Sequence, residues 1–121
     1  MCKMKEENII LDRTFAFAVR IVKLQRCLDE RGCDRSIIRQ LLKSGTSIGA
    51  NVREAVRGQS RVDFVSKMNI ALKESSESEY WLELLHATDF LTDQEYDSIY
   101  SDCKVITKLL MKIVKTTKDT L

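Results

Sequence analysis

The segment TDQEYDSIYSDCKVITKLLMKIVKTTK, residues 92–118, contains the most regular apolar pattern in the sequence. Its apolar side chains recur at alternating spacings of three and four residues, which places them on one face of an α-helix. Thr92 and Glu95 have the spacing of a capping box, so the helix is predicted to begin at residue 93. The repeat consists of Tyr96, Ile99, Cys103, Ile106, Leu110 and Ile113.

Three earlier segments show the same period and predict three more helices. They cover about residues 9–30, 35–57 and 61–88, and the last helix covers about residues 93–118. Each segment has one face rich in apolar side chains that would be buried against its neighbours. The stripe of the first helix combines Phe17, Ile21, Leu24 and Leu28 with the flanking Phe15, Ala18 and Val22.

Short connections separate these helices. Gly32 follows the first helix where a left-handed residue ends the last turn, Asp34 is placed to cap the second helix, and Gly58 ends it. Ser60 is expected to cap the third helix, with Asp63 three residues on. Because short connections make consecutive helices antiparallel, the sequence predicts one all-α domain over residues 1–121, an up-down-up-down four-helix bundle.

The second helix contains the unusual segment SGTSIGAN, residues 44–51. Gly45 and Gly49 each lower helix stability by about 1 kcal/mol relative to alanine. We interpret them as helix-packing positions, where small residues let a neighbouring helix approach closely. The segment lacks the GxxxxGK[ST] order and a preceding strand, so it is not predicted to bind a nucleotide as a phosphate loop.

Composition limits the class of protein. Proline is absent and there are only four glycines among 121 residues, which favours helices over a β-domain. No apolar run is long enough for a membrane span, and the first residues do not resemble a signal peptide, so a cytoplasmic location is expected. The four cysteines lack CxxC spacing and are expected to be reduced.

Side chains suited to catalysis or metal binding do not form a known pattern. Glu74, Glu77, Glu79 and Glu83 suggest a di-iron bundle, but that site needs two Glu-x-x-His pairs and His86 is the only histidine. We therefore predict no enzyme activity, no metal and no cofactor. A buried Glu79 is instead expected to pair with an arginine from another helix or subunit.

Charge is distributed unevenly along the chain. Residues 74–103 carry nine acidic side chains and no lysine or arginine, which leaves +11 on the rest of a chain whose total is +2. In an up-down bundle, the turn between the second and third helices lies at the same end as the end of the fourth. This basic end is the candidate nucleic-acid surface. We define the basic end as Arg53, Arg57, Arg61, Lys112, Lys115 and Lys118.

The helices also carry more apolar residues than one interior can hide, which predicts a homo-oligomer. Tyr80 and Trp81 are candidate interface anchors, because large amphipathic rings contribute most at buried contacts. The surplus consists of Val19, Ile38, Val56, Val65, Ile70, Val105, Leu109 and Val114.

Several motifs together are specific enough to indicate a family. They are SGTSIGANVxEA at residues 44–55, DF at 63–64, IALKE at 70–74 and ExEYWL at 77–82. The chain resembles, from about residue 15 to 117, the four-helix bundle proteins encoded in intervening sequences of bacterial 23S rRNA genes, also called ribosomal-protein-like.

That resemblance implies a homopentamer and a relationship to the accessory proteins of diversity-generating retroelements, which contact reverse transcriptase and nucleic acid. Those accessory proteins are distinctly basic, whereas this chain is nearly neutral. Two hypotheses follow from the sequence. The first is a homo-oligomer that binds rRNA, other RNA or DNA through its basic end. The second is a protein-protein adaptor or scaffold that uses the acidic end or an apolar groove.

Overall fold

A computed structural model describes residues 2–119 of the chain, with side chains from residue 5 onward. It contains four helices and, within those residues, no strand: α1 (Cys2–Glu30), α2 (Arg35–Val56), α3 (Arg61–Ala87) and α4 (Asp93–Asp119). Each helix packs against the one before it, and α1 and α4 contact each other to a smaller extent. The predicted all-α four-helix bundle is therefore confirmed.

Helix ends follow local hydrogen-bonding rules at most turns. Thr92 and Glu95 form the complete capping box, with the Glu95 N–H donating to Thr92 Oγ1 at 3.1 Å and the Thr92 N–H donating to Glu95 Oε1 at 2.9 Å. Ser60 Oγ accepts from the Asp63 N–H at 3.1 Å. Asp34 occupies the N-cap position of α2 as predicted, but its side chain makes no capping hydrogen bond.

Helix α1 is longer than the sequence analysis predicted. We placed its start near residue 9, the first apolar position, whereas the helix begins at Cys2. Apolar spacing marks only the buried part of a helix, and the residues before position 9 include lysine, glutamate and methionine, which are strong helix formers. The helical turns before Ile9 were therefore missed.

The predicted apolar seams form the core, with one exception in α1. All of the predicted α4 seam is buried except the half-buried Tyr96. Phe15 is 59% exposed, although we included it in the apolar stripe of α1. It lies two residues before the buried Phe17, a rotation of about 200° around the helix, so the two rings face opposite sides.

The surplus of apolar residues is also smaller than predicted. Ile38, Val65 and Val114 are buried within the single chain. Of the eight residues in that set, only Val19, Ile70 and Val105 are among the large exposed apolar side chains. The interior of one bundle holds more of these side chains than a single narrow seam per helix would allow. The remaining large exposed apolar side chains are Ile9, Phe15, Val62, Tyr80 and Met111.

The two glycines of α2 face α1. A Cβ atom at Gly45 would lie 2.8 Å from Cγ1 of Ile21, and one at Gly49 would lie 3.3 Å from the carbonyl oxygen of Thr14. Neither distance leaves room for a methyl group without movement of α1. Small residues at these two positions thus permit the close approach of α1 and α2.

A buried polar cluster lies between α3 and α4, at the level of these two glycines along the bundle. Thr107 Oγ1 donates to Glu79 Oε2 at 2.6 Å and is also hydrogen-bonded to the Ser75 hydroxyl. Lys104 Nζ forms an ion pair with Glu79 Oε1 at 3.0 Å. Glu79 is buried, as the sequence suggested, but its cationic partner is a lysine of the same chain instead of an arginine.

Candidate nucleic-acid interface

The fold brings the six side chains of the basic end to one end of the bundle, and all six are exposed. Arg53 and Arg57 lie at the end of α2, Arg61 is the first residue of α3, and the three lysines lie in the last turns of α4. Helices α2 and α4 run in the same direction in an up-down bundle, so their C-terminal ends lie together. The negative ends of the two helix dipoles also favour cations there.

The basic residues form two groups instead of one continuous patch. Among the described residues, α2 contacts α1 and α3 but not α4, so α2 and α4 occupy diagonal corners. Arg53 and Arg57 therefore lie at one corner of this end and the lysines at the diagonal corner, with the beginning of α1 and of α3, where Arg61 lies, between them.

Carboxylates lie close to both groups and weaken the positive potential. Lys112 Nζ lies 3.8 Å from Glu6 Oε1, and Lys67 Nζ lies 4.0 Å from Glu54 Oε2. All four side chains are substantially exposed, and exposed ion pairs of this length contribute little to stability. Such pairs leave Lys112 and Lys67 accessible to other anions in solution.

An aromatic side chain accompanies the arginine group. The Arg53 guanidinium lies over the Phe15 ring, 5.9 Å from its centroid, within the range of a cation–π contact. A groove of about 930 Å³ opens beside this pair, between the outer sides of α1 and α2. Leu11 and Ala18 of α1 and Gly49 of α2 contribute to its apolar lining.

The opposite end holds the acidic segment and a well-defined ion pair. Both terminal nitrogens of Arg31 bind Glu95, at 3.0 and 2.6 Å, and Arg31 also donates to the Phe90 carbonyl at 2.8 Å. The hydrogen bonds from Arg31, followed by those from Thr92, lower the pKa of Glu95 to about 2. These contacts connect the end of α1 to the start of α4.

A ladder of aromatic rings covers the acidic end of α3 and α4. The rings of His86 and Tyr96 stack with centroids 4.2 Å apart, and those of Tyr96 and Tyr100 lie 4.8 Å apart. Tyr100 donates its hydroxyl hydrogen to Glu83 at 3.2 Å. Burial, the Glu83 charge and this hydrogen bond raise the pKa of Tyr100 to about 12. Its hydroxyl is therefore a hydrogen-bond donor at neutral pH.

The four glutamates of α3 do not gather around one point. Glu79 is held in the interior cluster, Glu83 binds Tyr100, and Glu77 accepts from Trp81 Nε1 at 3.4 Å. Burial and the nearby Glu77 raise the pKa of Glu74. Within the part of the chain that the structure describes, no group of histidine, cysteine or acidic side chains has the arrangement of a metal site.

Tyr80 and Trp81 lie on the outer side of α3, toward its C-terminal half. Tyr80 is 58% exposed and Trp81 is half-buried, with their ring centroids 5.0 Å apart in an edge-to-face contact. Ile70 lies eleven residues before Trp81, almost the same direction around the helix, and is also exposed. The outer side of α3 therefore presents an aromatic and aliphatic surface.

The cysteine side chains add little to the candidate nucleic-acid surface. Cys27, Cys33 and Cys103 are free thiols, and the side chain of Cys2 lies outside the described residues. Burial raises the pKa of Cys103 to about 12.

Over the described residues, no helix combines the length and low charge required to cross a bilayer.

Two features of this structure were missed by sequence reasoning. The first is the outward position of Phe15 beside Arg53, which the rotation between Phe15 and Phe17 along α1 could have revealed. The second is the assembly of Ser75, Thr107 and Lys104 around Glu79. Serine and threonine fit both buried and exposed positions of a helix, so no signal in the sequence predicted that cluster.

Comparison with known proteins agrees with the fold and the motifs. The sequence model of the family described as 23S rRNA-intervening sequence protein matches residues 6–112. A crystal structure from Bacteroides thetaiotaomicron, described as a protein with unknown function from the S23 ribosomal protein family, is similar with a TM-score of 0.87. It has 50% sequence identity, over 91% of this chain and 98% of that chain.

A comparison with curated proteins found no match. The matched region extends from the second turn of α1 to the last turns of α4, so it includes all four helices and most of the basic end. This chain therefore belongs to the 23S rRNA-intervening sequence protein family.

Proposed function

We propose that this chain is a cytoplasmic, non-enzymatic, homo-oligomeric protein that binds RNA or DNA phosphates through its basic end. The observation that carries the proposal is the convergence of six exposed basic side chains on one end of the bundle. The acidic segment lies at the other end, so each chain has a charge dipole along its length. Clustered positive charge is the main requirement for phosphate binding without sequence specificity.

Oligomer formation would strengthen such binding. Protomers packed side by side in the same direction would place their basic ends together and multiply the phosphate contacts. The exposed Ile70 and Tyr80 and the half-buried Trp81 on the outer side of α3 support a contact between chains there. The pentamer implied by the sequence resemblance is part of this proposal, as is the relationship to retroelement accessory proteins.

Binding is tested by a gel-shift series with a structured RNA and with duplex DNA. The variant Arg53→Gln/Arg57→Gln/Arg61→Gln removes three charges from the basic end. Its matched control, Arg26→Gln/Arg35→Gln/Arg39→Gln, removes three exposed arginines from the other end. We expect the first variant to lose at least about tenfold in affinity and the control to stay within about twofold. Equal losses, or no binding by the wild type at low salt, would contradict the proposal.

Self-association is tested by light scattering. We expect the wild type to give a multiple of its 14.0 kDa chain mass, five for a pentamer. Tyr80→Ser should shift the mass toward the monomer at micromolar concentration, because a large ring at the centre of an interface contributes strongly to affinity. Met111→Ser, at an exposed position on α4 outside the predicted surplus, is the control. A wild-type mass of one chain would remove the oligomer from the proposal.

A protein-protein adaptor is the second candidate. It is favoured by the position of Tyr80 and Trp81 on the half of α3 that leads to the acidic end, where a basic and apolar partner surface would fit. Pull-down from native lysate, with and without nuclease, separates the two. Partners retained after nuclease treatment would favour the adaptor.

A further inference from the structure

We propose that the groove beside Phe15 binds an unpaired nucleotide of a single strand, with the base on the Phe15 ring and the phosphates on Arg53 and Arg57. This inference rests on the proposed function and specifies the kind of nucleic acid that the arginine side of the basic end recognises. The lysine group of α4 would contact phosphate only.

The exposure of Phe15 is the first observation. A phenylalanine that is 59% exposed on the outer side of a helix does not contribute to the core. Three adjoining recesses, of about 930, 500 and 300 Å³, all have Phe15 in their lining. Open space therefore surrounds the ring on several sides, and a flat group can reach it. Base–aromatic stacking of this kind is tolerant of sequence, because every base has a π-face.

The arginines are the second observation. Arg53 and Arg57 line both of the larger recesses, together with Phe15 and Leu11. They are one turn apart on α2, so their guanidinium groups point to the same side of the groove. Arginine suits phosphate because its planar donors bind two oxygens at once.

The distance between Arg53 and Phe15 is compatible with stacking. A base between a guanidinium and a phenyl ring needs about 3.5 Å on each side, or about 7 Å in total. The guanidinium lies 5.9 Å from the ring centroid, so an outward rotamer change of about 1 Å would admit a base. The protein therefore already holds the guanidinium within about 1 Å of the required distance from the ring.

The rest of the groove fits a base better than a second phosphate. Gly49 and Ala50 of α2 give it a shallow apolar wall, and Glu54 and Asp63 line it as well. The ion pair of Glu54 with Lys67 of α3 places that carboxylate on the α3 side, away from Phe15. Carboxylates there would repel phosphate and accept hydrogen bonds from the amino groups of a base. A strand would therefore bind with its backbone over the arginines.

The test compares two fluorescein-labelled probes by anisotropy: a single-stranded oligoadenylate RNA and an RNA duplex of the same length. Phe15→Leu keeps the apolar bulk and removes the ring, while Phe15→Tyr keeps the ring. We expect Phe15→Leu to weaken single-strand binding by about tenfold and leave duplex binding unchanged, because stacking is lost and phosphate contacts remain. Phe15→Tyr should stay within about twofold of the wild type for both probes. A single-stranded DNA of the same length should show the same loss.

Other outcomes would overturn the inference. If Phe15→Leu leaves single-strand binding unchanged while the duplex still binds with strong salt dependence, the nucleotide site is wrong and the proposed function stands. If neither probe binds the wild type at low salt, both are wrong. If Phe15→Leu changes the mass measured by light scattering, the groove belongs to a contact between chains and not to a nucleotide. Circular dichroism of each variant confirms that the helices are intact.

Discussion

Gly45 is the residue at which the packing of α1 and α2 is most constrained. Its missing Cβ would lie 2.8 Å from Ile21 Cγ1 and 3.0 Å from Ile21 Cγ2, and Ile21 is fully buried. A methyl group there would gain about 1 kcal/mol of helix propensity. Overpacking a core of this kind reduces stability by about 1–3 kcal/mol, which outweighs the gain.

We therefore expect Gly45→Ala to lower the free energy of unfolding by up to about 2 kcal/mol, measured by urea denaturation. A double-mutant cycle with Ile21→Ala supplies the control, because that change removes both γ-carbons that the new methyl would meet. In the Ile21→Ala background, Gly45→Ala should be close to neutral or stabilising. The same loss in both backgrounds would mean that the contact with Ile21 is not the cause.

Single residues also mark the limit of sequence-based prediction. The apolar period identified the buried positions because burial repeats with the turn of the helix. The same period would have placed Phe15 outward, about 200° from Phe17, but we assigned it to the stripe by residue type. The sequence could not establish the hydrogen bonds of Asp34, since a cap depends on side-chain orientation and not only on residue type.

At the scale of elements, capping determined three of the four helix starts to within one residue. Ser60 and Thr92 were each followed by an acidic residue at the capping-box spacing, and α3 and α4 begin immediately after them. The start of α1 lacks such a signal, and there the prediction was seven residues late. The ends of helices were predicted to within one residue, because Gly32 and Gly58 interrupt the apolar pattern.

The capping box of α4 is also a pH-sensitive contact. Hydrogen bonds from Arg31 and Thr92 lower the pKa of Glu95 to about 2 from an ordinary value of 4.5. A lowered folded-state pKa gives stability that is fully present above about pH 4.5 and is lost as the pH falls toward about 2. More than a third of the Glu95 side chain is exposed, so solvent screening reduces the effect.

We expect Glu95→Gln to lower the free energy of unfolding by about 0.5–1 kcal/mol at neutral pH. The difference from the wild type should shrink as the pH is lowered and disappear below about pH 2, where Glu95 is also uncharged. Glutamine keeps the capping geometry, so the comparison isolates the charge. Urea denaturation of Glu95→Gln and of the exposed control Asp97→Asn measures it. A difference that is constant across the pH range would show that the Arg31 contact does not matter.

At the scale of the whole molecule, charge separation distinguishes the two ends more clearly than any single residue does. The net charge of +2 hides an acidic segment with nine carboxylates and a remainder with a large positive excess. The sequence alone predicted which end would be basic, because the topology of an up-down bundle fixes where each turn lies. It did not predict that α2 and α4 stand at diagonal corners, which divides the basic end into an arginine side and a lysine side.

The buried polar groups show a second limit of sequence-based prediction at the scale of the whole molecule. The cluster around Glu79 joins α3 to α4 through hydrogen bonds to Thr107 and an ion pair with Lys104. The burial of Glu79 was predicted, but which side chains of α4 would bind it depended on the rotation of α3 against α4. That rotation is a property of the assembled bundle and not of either helix alone.

The most direct test of the central claim is the salt dependence of RNA binding. With the wild type and a structured RNA, the logarithm of the association constant should fall linearly with the logarithm of KCl concentration over about 50–200 mM. Four to six phosphate contacts predict a slope of about −3 to −5, and Arg53→Gln/Arg57→Gln/Arg61→Gln should make it shallower by about two to three. A slope near zero, or an equal change in Arg26→Gln/Arg35→Gln/Arg39→Gln, would contradict binding through the basic end.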